Sequence, residues 1–224
     1  ACLVGSEMCI RDRRALDTIC REGFRHNEQS VRVVSRIEPL NLSHEVLDGI
    51  LCHTGKKKAD TPEGRLIHYA DRIAYVNHDL DDAIRAGLVT EQEIPQDIQA
   101  VLGTSHGKRV DILVRAVIAY GQAHAEIGMD AETKHAMLAL RRFLFERVYD
   151  RQGVEQDQRA IWMLHTLYEY DRAHFDQLPE NYRVLLDQGD SKDRIICDYI
   201  ASMTDRYAIT CCKEIFLPRT WNRT

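Results

Sequence analysis

Apolar residues recur three and four positions apart through most of this chain, and no stretch alternates apolar with polar long enough to build a sheet. The pattern predicts an all-α fold, with helices at about 13–22, 27–38, 43–54, 62–86, 95–102, 107–127, 131–150, 155–175, 179–187 and 191–216. Ser43, Thr61, Asp130 and Ser191 each stand just before a periodic run and are expected to cap it, while Gly55, Gly87, Gly103 and Gly128 each follow one. Lys56-Lys57-Lys58-Ala59-Asp60 reads as a solvated basic connector.

The 62–86 run carries the densest chemistry. Pro62 suits a first helical position, and Leu66, Ile67, Ala70, Ile73, Ala74, Val76, Leu80, Ala83 and Ile84 carry the apolar pattern to Gly87. At about 100° per residue, Asp71, Tyr75 and Asp79 fall within an arc of about 80°, and about 12 Å of axis separates the two acids. An acid, a phenol and a second acid in a row match the length of a nucleotide. The same spacing also fits a solvated face laced with ion pairs, in which Asp79 would join Arg72 or Arg85 and Arg72 would serve as a surface partner.

Resemblance separates these readings. The segment from Ala70 to Gly87 resembles the last motif helix of the HD-domain deoxyguanosinetriphosphate triphosphohydrolase-like proteins, and residues 23–34, 40–43, 142–149 and 197–208 resemble further blocks of that family in the same order. Together they cover the chain from about Arg14 to Phe216. The resemblance implies an HD-domain-like helical bundle with a helical extension: the C-terminal part of the HD domain over 14–90, and the helical C-terminal region over 91–224. Residues 1–13 are set apart, because Met8-Cys9-Ile10-Arg11-Asp12 resembles a translated sequencing adapter. The family's upstream His and His-Asp pair have no counterpart here, so the chain is expected to be the C-terminal part of a longer enzyme.

The same resemblance implies roles. Asp71 corresponds to the last ligand of a divalent metal (Mn, Mg or similar) that activates water, a site that also needs two histidines and another carboxylate. With one ligand left, the chain alone is expected to be inactive. Tyr75 would lie under the deoxyribose and exclude a 2′-OH, and Asp79 would accept from the 3′-OH. Arg72, Arg141, Arg147 and Tyr149 would meet phosphates and base. His26 would act near the α-phosphate as a general acid, or simply sit at a helix start. His53 is expected to be structural, and Asp205, Arg206 and Tyr207 are expected to pack the last helix on the core. The implied reaction converts a deoxynucleoside triphosphate into deoxynucleoside and tripolyphosphate, in a cytosolic homo-oligomer. The alternatives are a non-catalytic nucleotide-sensing or oligomerisation module, and an HD phosphohydrolase acting on nucleoside monophosphates.

Composition narrows the field without choosing among these. The 224 residues are 44% hydrophobic and 29% charged, enough to bury a core. A net charge of −5 gives no overall drive toward nucleic acid or anionic lipid, and no apolar run approaches the length of a membrane span. Seven cysteines at 2, 9, 20, 52, 197, 211 and 212 form no CxxC pair, so neither a zinc site nor a disulfide framework is expected.

Overall fold

The computed structural model describes residues 15–149 and 154–218. Residues 1–13, with their adapter-like stretch, lie outside it. After a helical turn at 15–19, the helices are α1 (His26–Arg32), α2 (His44–Cys52), α3 (Pro62–Arg85), α4 (Gln96–Leu102), α5 (His106–His124), α6 (Ala131–Leu144), α7 (Val154–Ala173), α8 (Glu180–Arg183), α9 (Lys192–Ser202) and α10 (Asp205–Phe216). No strand occurs among the described residues, so the all-α expectation holds. No described helix is long and apolar enough to cross a membrane. The chain forms two compact units: residues 41–149 make the first, and residues 15–40 together with 154–218 make the second.

In the first unit, α3 is the central element. Thr61 caps it by accepting from the Gly64 N–H at 3.1 Å, Pro62 occupies its first turn, and Gly87 beyond its end has a φ of 72°. Its buried stripe of Ile73, Val76, Asn77, Leu80 and Ala83 packs with Leu102 of α4, Leu113 and Val117 of α5, and Met137, Leu140 and Leu144 of α6. The start of α3 lies close against α2 because two glycines meet there. A Cβ on Gly64 would come within 3.2 Å of the Gly49 Cα and 2.6 Å of the Ala59 Cβ.

Two polar devices hold the connecting segments of this unit. The Asp48 carboxylate accepts from the Asp60 N–H at 2.7 Å and from Lys57 Nζ at 3.3 Å, so the basic connector is tied back to α2 at Lys57. The Asp60 N–H holds the Asp48 carboxyl below its usual range. Arg109 of α5, only 1% exposed, donates through Nη1 and Nη2 to Glu91 at 3.0 and 3.3 Å, which fixes α5 to the 3₁₀ turn Glu91–Glu93.

The second unit packs α7 against α9 and α10 around Leu164, Leu167, Tyr168, Ile195, Ile196 and Ile200, with Ala15, Leu16 and Ile19 joining from the start of the described chain. A charged cluster ties α1 to α9. The Asp198 carboxylate, 1% exposed as a residue, accepts from Gln29 Nε2 at 3.0 Å, Arg32 Nε at 2.8 Å and Arg194 Nε at 3.2 Å. Arg32 also donates to Asp190 at 2.8 Å, as does Arg36, and Arg194 Nη2 donates to Gln29. Two of the segments singled out by resemblance, 23–34 and 197–208, therefore contain partners in one buried network.

Several sequence expectations are corrected here. Residues 191–216 form two helices: Met203 and Thr204 are extended, and the Thr204 side chain starts α10 afresh by accepting from the Tyr207 N–H at 3.2 Å. The 107–127 helix stops earlier, with Ala125 left-handed at a φ of 51°. Gly128 plays a packing role, since a Cβ there would run into the Tyr120 ring. Ser43 stands at the N-cap of α2 without a side-chain capping bond, because its hydroxyl engages Glu45 instead. Arg206 and Tyr207 are exposed, so Ala208, not they, packs α10 on the core. Finally, Cys20 and Cys197 form a disulfide, with Cα atoms 6.2 Å apart. No disulfide framework is expected from the sequence, because a separation of 177 residues leaves no local spacing to read.

Candidate functional site

The candidate site is built on α3 and α6 of the first unit. Asp71, Arg72, Tyr75 and Asp79 are half-buried on α3 beside its core stripe, and Tyr75 packs against the core of this unit. Tyr75 is the meeting point. Arg141 comes to it from the last turn of α6, within hydrogen-bonding reach of the phenol, and Arg72 and Asp79 lie within electrostatic reach. Burial raises the Tyr75 hydroxyl above the ordinary phenol range while Arg141 and Arg72 pull it down, so it stays a neutral phenol at any physiological pH. The Arg141 guanidinium also stands 4.8 Å over the Phe145 ring, which restrains the side chain.

Asp71 is half-buried, and its charge acts on His68, one turn back. A metal of the HD type needs several converging donors, yet among the described residues no group of three or more His, Cys, Asp or Glu side chains is arranged to hold one. The residues present therefore do not fit a complete metal centre, and Asp71 offers a single ligand.

The ion-paired-face alternative keeps support at the end of α3, where Arg85 joins Asp81 at 2.8 Å, one turn back. Arg147 lies half-buried on the single π-helical turn Phe145–Tyr149 that follows α6, and the side chain of Tyr149 lies outside the described residues. His26 opens α1 in the second unit and is half-buried; its carbonyl accepts from Ser30 Oγ at 2.8 Å. His53 caps the end of α2 and turns Nδ1 to the Ile50 carbonyl at 2.6 Å, the structural part expected of it.

The sequence reading passed over His68. It stands one turn before Asp71 and Arg72, with Nδ1 3.3 Å from the Cys52 carbonyl, and burial with the nearby Arg72 charge lowers its pKa. Its spacing three residues before Asp71 was the available signal, since i and i+3 side chains are neighbours on a helix.

Comparison with known proteins places the sequence among described relatives. Residues 127–214 match the phosphohydrolase-associated domain, which begins before α6 and so includes Arg141. A deoxyguanosinetriphosphate triphosphohydrolase-like protein of Caldanaerobacter subterraneus subsp. tengcongensis is 42% identical over 92% of this chain and 62% of its own length. Proteins of the same description from Clostridium tetani and Clostridium perfringens are each 38% identical, over 91% and 88% of this chain and 63% and 61% of their own lengths. By sequence, the chain is a homologue of the deoxyguanosinetriphosphate triphosphohydrolase-like proteins, and it spans about 62% of the length of the curated relatives it matches.

Proposed function

We propose that this chain supplies the nucleotide-holding side of a deoxynucleoside triphosphate triphosphohydrolase of dGTP type. The observation that carries this reading is the meeting of Tyr75 and Arg141, from two different helices, beside Arg72 and Asp79, with Asp71 one turn before Tyr75 on α3. In this reading the triphosphate lies toward Asp71, Arg72 and Arg141, whose two guanidiniums balance charge that grows on phosphate oxygens during hydrolysis. The deoxyribose lies over Tyr75, whose neutral phenol fills the space beside C2′, and Asp79 accepts a hydrogen bond from the 3′-OH.

Asp71 would give one carboxylate to a divalent ion, and such an ion supplies charge neutralisation and an activated water. Because the other donors are not assembled among the described residues, the chain alone is proposed to bind nucleotide without turning it over. His26 is assigned a proton-donating part near the α-phosphate only within the complete enzyme.

The test is nucleotide binding by the 224-residue chain, measured calorimetrically with dGTP and GTP in the presence of a chelator. The wild type should prefer dGTP. Arg141→Ala should weaken both nucleotides about tenfold, the loss expected of one charge-assisted phosphate contact. Tyr75→Ala should erode the preference for dGTP by admitting the 2′-OH. A Tyr75→Ala chain that rejects GTP as firmly as wild type would leave Tyr75 as packing and overturn the sugar assignment.

A further inference from the structure

A pair of histidines, one on α3 and one on α5, takes no part in the nucleotide reading. His78 is exposed on α3, and its ring faces that of His106, the first residue of α5, with centroids 5.4 Å apart and planes inclined by 47°. That tilt gives poor ring-on-ring overlap, while the separation is close to that of two imidazoles sharing one ion. Nitrogen–zinc distances of about 2.0–2.1 Å in tetrahedral geometry place two ring centroids about 5 Å apart. A second observation points the same way. His106 Nδ1 is buried and finds no hydrogen-bond partner among the described residues, a state that folded proteins rarely leave unmet.

We propose that His78 and His106 bind one divalent cation of the borderline class, typified by Zn²⁺, with water in the remaining positions. Imidazole nitrogen is a ligand such ions accept readily, whereas Mg²⁺ and Ca²⁺ prefer oxygen. His106 Nδ1, the atom left without a partner, is the assigned donor on the α5 side. No third His, Cys, Asp or Glu among the described residues completes the set, and the positive end of α5 opposes a cation, so the affinity is expected in the micromolar range rather than the nanomolar. Seven residues, or about 10.5 Å of helix axis, separate His78 from Asp71, too far for both to share one ion. The site is independent of the nucleotide reading; its structural effect would be to tie the middle of α3 to the start of α5.

The experiment titrates the 224-residue chain with ZnCl₂ in the absence of nucleotide, following heat and melting temperature. The expected result is saturable binding of one equivalent, weakened about tenfold or more by His78→Ala and by His106→Ala. Asp71→Ala, and the double change Cys211→Ser with Cys212→Ser, should leave it within about twofold of wild type. Because His78 is exposed, its replacement gives a folded variant even if His106→Ala does not. Absence of saturable binding below millimolar Zn²⁺, unchanged affinity in His78→Ala, or loss on replacing the two cysteines would each overturn the proposal.

Discussion

Asp171 shows how far a single residue can stand from its solution behaviour. It lies on α7, is 9% exposed, and has one carboxylate oxygen, Oδ2, buried without a hydrogen-bond partner among the described residues. Burial pushes the group from the usual 3.8 up to about 6, against a small opposing pull from His174. Below pH 3.8 the carboxyl is protonated in both folded and unfolded chains; as pH rises toward 6 the unfolded chain ionises first, so stability falls across that window. The loss is on the order of 3 kcal/mol, the free-energy equivalent of moving the carboxyl from 3.8 to about 6. Asp171→Asn should therefore raise the melting temperature at pH 7.5 and change it little at pH 4, a difference that thermal denaturation at the two values would reveal. A neighbouring expectation concerns Asp79. Asp79→Asn should weaken dGTP and GTP alike, because its proposed partner is a hydroxyl both carry, and calorimetry with the two nucleotides would show an unequal loss if that partner is wrong. Residue identity alone disclosed little of this. Asp71, Tyr75 and Asp79 were legible from helical spacing, but the burial of Arg109 was not, since it depends on Glu91 reaching back from another segment.

At the scale of elements, the sequence was readable wherever a helix is started by its own neighbours. Thr61, Asp130 and Ser191 each accept from a backbone N–H three residues on, a bond that local sequence specifies. The break between α9 and α10 escaped detection because apolar residues continue in register through Met203, and Thr204 in mid-run looks like any other polar position. Gly128 misled in the opposite way: it reads as a helix stop, but its lack of a Cβ serves the Tyr120 ring. Thr204→Ala should cost about 1 kcal/mol, the usual effect of removing an N-cap oxygen, and hydrogen exchange should report the loss first in the amides of α10. Equal protection in the variant and wild type would mean that α10 is held by its apolar face alone. The approach of Arg141 to Tyr75 could not be read at this scale either, since nothing in α3 or α6 taken separately specifies that their polar ends meet.

For the molecule as a whole, the disulfide and the charged cluster act on the same unit. Cys20–Cys197 closes a loop of 177 residues, and chain-entropy arithmetic assigns such a crosslink about 5 kcal/mol. Dithiothreitol should accordingly lower the melting temperature of wild type and leave Cys20→Ser unaffected, as read by parallel thermal scans. The second unit also draws on both ends of the described chain: Arg32 and Asp198 are 166 residues apart in sequence, while the first unit is continuous from 41 to 149. On a ribosome this difference becomes a difference in time. Residues 41–149 are all made while α9 is still unmade, so the contacts among them can form early; those of Ala15, Leu16 and Ile19 with Ile195 and Ile196 must wait for the last helices.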